Sequence, residues 1–226
     1  MRDSILAISG KLFLENGYES TSIQDILDVM KLSKGGFYHY FPSKEAVMQE
    51  VCMQYISERI HKAEPELSVM QMQPIECMNR LLRLCGLIEW NNPKYAMLLL
   101  RLCYQNGGDA QIRESLRSSL REQLKPHFDT TIANGIQSGV MCVRYPKCAG
   151  EIILRMADDF NDAAAALLCK DLNNLDSIIE ITDQVHAIRD AIEVLLGMPF
   201  GSVSLFDMPK LVNALQRILR DMQISG

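Results

Sequence analysis

Apolar positions recur along this chain at spacings of three and four, and the runs they form end at glycine, proline or asparagine. Ile5, Leu6, Ile8, Leu12 and Phe13 predict a helix over residues 3–15, closed by Asn16-Gly17. Thr21 and Ser22 can accept the free amide hydrogens of a second helix start, Asp25 suits its first turn, and Ile23, Ile26, Leu27, Val29 and Met30 supply an apolar face. After Lys31-Leu32, Ser33 is a good N-cap for a short third helix that stops at Phe41-Pro42, where the proline ring constrains the residue before it. Ser43 opens a long fourth helix with Ala46, Val47, Val51, Tyr55 and Ile60, punctuated by Pro65.

Pro74 opens a helix bearing Ile75, Met78, Leu81, Leu82, Leu84 and Leu87, and Asn91-Asn92-Pro93 breaks it. Tyr95 to Tyr104 is strongly apolar, and Asn106-Gly107-Gly108 reads as a turn. Ile112, Leu116, Leu120, Leu124 and Phe128 mark a long helix ending at Gly139, with a kink expected at Pro126. Two further long helices are predicted over 147–169 and 174–196, then a loop through Gly197 to Gly201, and a last helix capped by Asp207. Alternating Val/Ile/Thr/Tyr runs are nearly absent, so the chain reads as all α.

Composition narrows this picture. With 226 residues, 48% apolar and 23% charged, the chain can bury a sizeable core. No apolar run approaches a membrane span, and a cytoplasmic location is expected. Seven cysteines without a CxxC pair read as reduced core thiols. Enzyme motifs such as GxGxxG, the P-loop, HExxH and GxSxG are absent, and the histidines at 39, 61, 127 and 186 do not pair at ligand spacing, so neither catalysis, cofactor nor metal is expected. Asp158, Asp159 and Asp162 read as a solvated face, with Asp159 alone sharing an apolar stripe.

The net charge of −5 argues at first against nucleic acid, but the charge is unevenly spread: Lys31 to Lys44 holds three lysines and no acid. Two short helices joined by a few residues outline a helix-turn-helix. Its second member, Ser33-Lys34-Gly35-Gly36-Phe37-Tyr38-His39-Tyr40-Phe41, offers more hydrogen-bonding and aromatic groups than a solvated face requires. Gly35 and Gly36 each weaken a helix by roughly 1 kcal/mol, a cost that makes sense where backbone must approach another surface. Phe37 and Phe41, four apart, are expected in the core.

The stretches Gly17 to Ile26 and Leu32 to Ala46, with Phe13, Gly17, Thr21, Gly35, Tyr38, Phe41 and Lys44 at their spacing, resemble the amino-terminal signature of the TetR family of bacterial transcriptional regulators. The resemblance implies a helix-turn-helix DNA-binding domain over 1–48, with helix four leading into an effector-binding and dimerisation domain over 49–226. It implies that Thr21 and Ser22 meet a phosphate, that Lys34, Gly35 and His39 approach bases, and that Tyr38, Tyr40 and Lys44 hold the DNA backbone. Ser33 and Gly36 complete the expected DNA-binding set, although Gly36 departs from the hydroxyl-bearing residue often found there.

The implied function is ligand-responsive regulation, most often repression, by a homodimer on an inverted-repeat operator in double-stranded DNA. A helical DNA-bound protein serving chromosome organisation or partner binding without an effector is the alternative. The expected dimer stripes are Ile152, Met156, Phe160, Ala163, Ala164 and Leu167 on one helix and Ile178, Val185, Ile188, Ile192 and Leu195 on the next, with intramolecular core as the competing account. Trp90, Tyr95, Tyr104, His127, Asp159 and Phe160 are the expected lining for a mainly apolar small-molecule effector.

Overall fold

A computed structural model describes residues 1–70, 73–86, 92–104, 110–170 and 175–204, without the side chains of 93, 94, 97, 101, 164, 166–170 and 175–178. Trp90, Ala164, Leu167, Ile178, the turn at 106–108 and the helix expected from Asp207 therefore lie outside the described residues. The described elements are all helical: α1 (Arg2–Asn16), α2 (Ile23–Met30), α3 (Lys34–Tyr38), α4 (Lys44–Val69), α5 (Pro74–Leu84), α6 (Pro93–Cys103), α7 (Ala110–Gln137), α8 (Pro146–Lys170) and α9 (Leu175–Leu196). No described helix is long and apolar enough to cross a membrane.

Local chemistry explains the boundaries. Gly17 ends α1 at φ 87°, with its N–H donating to the Phe13 carbonyl. Such a positive φ is cheap for glycine alone. Pro74 and Pro93 open α5 and α6, where a missing amide hydrogen costs nothing. The prolines inside helices do not end them. Pro65 does not interrupt α4, which continues to Val69, and α7 runs unbroken through Pro126. Both prolines are exposed, so water can serve the carbonyl that loses its partner, while buried Ala63 and Leu67, and Leu124 and Phe128, keep each helix on the core.

One apolar core runs from Ile5 to Val203. Near the amino terminus it is built from Phe13, Ile26, Phe37, Phe41, Val47 and Met48, and α4 carries it onward through Cys52, Ile56, Ile60 and Leu67. α4 thus belongs to both ends of this core. Cys52, Cys77, Cys85 and Cys103 are buried as expected, whereas Cys142, in the connection before α8, and Cys148, in the first turn of α8, are exposed.

The α7–α8 contact mixes close packing with charge. A Cβ on Gly150 would stand 2.9 Å from Asp129 Oδ1 and 3.2 Å from Phe128 Cβ, so glycine sets how closely the helices approach. Arg117 pairs with Asp162, and Arg121 pairs with Asp158 and, at 2.5 Å, with Glu114. Asp158 is thus a buried member of an ion-pair array, not part of a solvated face. Burial pushes its carboxyl above the usual range, against the hydrogen bonds from Arg121. In the last turn of α9, the fully buried Glu193 carboxylate accepts the N–H groups of Gly201 (3.0 Å) and Val203 (2.7 Å), which pins the loop that follows.

Candidate nucleic-acid interface

The α2–α3 pair is shaped by two hydroxyl caps and one left-handed residue. Ser22 Oγ accepts the Asp25 N–H at 3.1 Å, and the Asp25 carboxylate accepts the Ser22 N–H at 2.7 Å, closing a reciprocal cap on α2. The hydrogen bonds that the carboxylate accepts from the Ser22 N–H and the Ser22 hydroxyl, both 2.7 Å, hold the Asp25 carboxyl below the usual range. Lys31 then turns the chain at φ 53°, and Leu32 N–H donates to the Leu27 carbonyl at 3.0 Å. Ser33 Oγ accepts the Gly36 N–H at 3.2 Å and starts α3.

α3 is anchored from below and open above. Phe37 and Phe41 are buried as expected, with ring centroids 6.2 Å apart. Ser33, Lys34, Gly35, Tyr38, His39 and Tyr40 are exposed and share this short segment. Tyr38 stays half exposed, with its ring edge-on to Phe37 at 5.5 Å, so its position is set while its hydroxyl is left outside. His39 packs edge-on to Tyr40 at 4.9 Å. The two glycines differ. A Cβ on Gly35 would meet nothing within 4 Å, whereas one on Gly36 would reach Leu32 Cδ1 at 2.8 Å. Gly36 is therefore spoken for by internal packing, and Gly35 alone leaves bare helix surface for an approaching molecule.

Two expected contacts are corrected. Thr21 is fully buried, and its hydroxyl points at the carbonyl oxygens of Gly17 (2.8 Å) and Leu12 (3.3 Å), so it cannot face a phosphate. Ser22, next to it, stays exposed at the helix start. Lys44 does not extend outward either. Its Nζ donates to the carbonyls of Tyr18 (2.9 Å) and Thr21 (3.1 Å) and lies 4.1 Å from the Tyr18 ring centroid. The Tyr18 hydroxyl in turn donates to Glu45 Oε1 at 3.2 Å. Burial, then the Glu45 charge, pushes the Tyr18 phenol well above the usual tyrosine range. The first turn of α4 thus grips the α1–α2 turn from both sides.

The described residues of the expected effector set differ in their surroundings. Tyr95 stacks on Tyr55, with ring centroids 3.5 Å apart. Tyr104 instead donates to Asp162 at 2.8 Å, accepts from Arg117 at 3.1 Å and lies under the Arg113 guanidinium. Phe160 is buried, His127 is half-buried, and Asp159 is exposed, which removes it as an inward anion. Asp158 and Asp162 take the inward positions, because a neighbour on a helix points about 100° away. Arg113, Arg117 and Arg121 went unnoticed in the sequence, although their four-residue spacing on α7 matches that of Asp158 and Asp162 on α8.

The expected dimer stripes also divide. On α8, Ile152 is exposed and Met156 and Ala163 are half-buried, whereas Phe160 lies in the core. On α9, Val185 and Ile192 are buried, and Ile188 and Leu195 pack against the same core, so the described part of that stripe packs within the chain. The opposite face of α9 exposes Ile179, Ala187, Ala191 and Val194.

Residues 5–51 match the family model described as bacterial regulatory proteins, tetR family. The chain is 49% identical over 51 residues to the uncharacterized HTH-type transcriptional regulator YuxN of Bacillus subtilis, covering 23% of this chain and 18% of that protein. It is 33% identical over 61 residues to the HTH-type transcriptional repressor KstR2 of Rhodococcus jostii, covering 27% of this chain and 30% of that one. These matches span less than a third of the curated relatives. Over the longer range, the fold is similar to that of a putative TetR-family transcriptional regulator from Mesorhizobium loti, with a TM-score of 0.53 at 17% identity over 86% of this chain and 95% of the other.

Proposed function

We propose, from the membership of its amino-terminal domain in the tetR family of bacterial regulatory proteins, that this chain is a ligand-responsive, sequence-specific transcriptional regulator. In this reading residues 1–48 bind DNA and residues 49–226 bind an effector and dimerise. The observation that carries it is the division of α3 into a buried aromatic underside, Phe37 and Phe41, and an exposed surface of Lys34, Gly35, Tyr38, His39 and Tyr40. A helix fixed this way can be laid against a groove without losing its seat. Ser22, Ser33, Tyr38 and Tyr40 supply hydroxyls for phosphates, which set register, and Lys34 and His39 supply groups for base edges, which set sequence.

Repression by a cytoplasmic homodimer on an inverted repeat follows as the working form. One helix-turn-helix reads few base pairs, and two-fold pairing doubles the site. The exposed apolar residues on α8 and α9, Ile152, Ile179 and Val194 among them, support pairing through these helices. A mainly apolar effector would be held where α6, α7 and α8 meet, oriented by Tyr104 and the Arg117–Asp162 pair. Release from DNA then requires that the effector bind more tightly to the form with mis-spaced α3 helices.

Sequencing of DNA fragments selected by the purified chain tests the reading. Enrichment of one inverted repeat is expected, and recovery of unselected sequence would overturn it in favour of non-specific DNA packaging.

A further inference from the structure

We propose a second ligand site: a surface groove between the latter half of α7 and the start of α8 that takes the anion of a free alkyl carboxylic acid. The groove has a volume of about 590 Å³ and is lined by Lys125, Asp129, Ile132, Ala133, Ile136, Pro146 and Lys147. That volume lies within the range of small-molecule clefts, roughly 300–1,000 Å³. The five α7 residues follow helical spacing along one face, so the floor is an apolar strip of Ile132, Ala133 and Ile136, closed at one side by Pro146.

Charge defines the occupant. Asp129 Oδ2 is answered by Lys125, four residues earlier on α7, and its Oδ1 is buried beside Gly150, away from the groove opening. Glu151, the next acid along α8, is answered by Arg155 at 2.9 Å. Lys147 and Arg144 are in no ion pair among the described residues, and Arg144 instead lies 5.5 Å from the Tyr145 ring centroid. The groove mouth is therefore cationic on a chain whose net charge is −5. Operator DNA is not the anion it meets. Gln49 bonds to Ser115 at 3.3 Å, which places the beginning of α7 beside the base of α4, and Ile136 lies roughly 30 Å further along the helix at about 1.5 Å per residue. An inorganic anion would leave the apolar floor wet, and a neutral hydrocarbon would gain nothing from the solvated Lys147 at its rim. An alkyl chain ending in one carboxylate satisfies both.

The test uses the purified full-length chain, with dodecanoate displacing a fluorescent dansylamino-undecanoate and calorimetry giving the stoichiometry. One saturable site per chain is expected. Lys147→Glu should weaken binding by at least about tenfold, and dodecan-1-ol should bind about tenfold more weakly than dodecanoate, the size of one lost charge contact. Ala133→Trp should abolish binding by filling the floor, and Ala133 is exposed, so the core is not loaded. Absence of saturable binding overturns the proposal, as does equal affinity in both variants, which would put the ligand in another cavity. So does equal affinity for the alcohol. A changed sedimentation coefficient of the ligand-free Ala133→Trp chain would make the groove a contact between copies and overturn it too. Operator selection with the ligand-free chain is a separate measurement, so the regulatory reading and this site stand or fall independently.

Discussion

Lys44 Nζ lies 2.9 Å from the Tyr18 carbonyl oxygen and 4.1 Å from the centroid of the same residue's ring. One ammonium thereby ties the first residue of α4 to the turn that launches α2, through the backbone and the ring together. Two of its three hydrogens are committed to carbonyls, at Tyr18 and Thr21. The side chain therefore sets where α2 and α3 stand relative to α4, and this role does not require a phosphate.

Lys44→Ala should accordingly cost about 1–2 kcal/mol of stability, the range for hydrogen bonds to a charged donor reduced for partial exposure. Operator affinity should fall while the slope of log affinity against log salt stays unchanged. Denaturant unfolding and a salt titration of binding check both. A slope lower by about 0.9 per half-site, with stability intact, would instead show a direct phosphate contact.

Lys34 and Tyr38 should behave oppositely. Both are exposed, so Lys34→Ala and Tyr38→Phe should leave the unfolding midpoint almost unmoved. Lys34→Ala should weaken operator binding, with a loss of sequence preference if it touches a base, or a salt slope lower by about 0.9 per half-site if it touches a phosphate. Tyr38→Phe keeps the ring that packs on Phe37 and removes only the hydroxyl, so a several-fold loss of affinity would report one hydrogen bond of about 1 kcal/mol.

How legible these features were depends on how local their causes are. Caps and stops such as Ser22 with Asp25, Ser33 and Gly17 depend on a few neighbouring residues, and sequence spacing located them. The aromatic pair Phe37 and Phe41 was legible for the same reason. Thr21 and Ser22 look equivalent in sequence, yet the fold buries one and exposes the other, because only the neighbouring α1 carbonyls decide which hydroxyl turns inward. Lys44 resembled an outward cation until the Tyr18 and Thr21 carbonyls were placed beside it. On α8 and α9 the helical period was evident, but which face meets the core depends on partners far away in sequence. Val185 and Ile192 were thus assigned to a partner chain though they pack at home. Asp159 was taken for Asp158 or Asp162 on the same ground.

Alkaline titration offers a third check on the α1–α2–α4 junction. The Tyr18 phenol is raised in the folded chain by burial and by Glu45, so above the ordinary tyrosine pKa of about 10 the unfolded chain loses its proton first. The folded state then holds more protons than the unfolded one, and stability falls as pH rises through that window. Tyr104, raised chiefly by burial, contributes with the same sign. Urea unfolding between pH 9 and 11 should show a declining stability, and Tyr18→Phe should make the decline shallower. An unchanged slope in that variant would mean that the Tyr18 phenol is not raised, by burial or by Glu45, in the folded chain.

Association of two chains can be separated from folding by choosing residues that differ in exposure on the same helices. Ile152 is 40% exposed and Val194 69% exposed, whereas Ile192 on α9 is 1% exposed. A carboxylate at either exposed site costs little in a lone chain, but buried between two copies it would need a partner charge that the apolar face does not offer. Ile152→Glu and Val194→Glu should therefore yield folded monomers, with helical content and thermal unfolding close to those of the parent chain at low concentration. Ile192→Glu places the charge in the core and should unfold the domain whatever the assembly state. Sedimentation velocity over a range of micromolar concentrations, with circular dichroism on the same samples, distinguishes the outcomes. Dimers that persist in both surface variants would move the interface away from these faces. Operator binding gives the functional counterpart, since a monomer should lose the inverted repeat while keeping weak affinity for a single half-site.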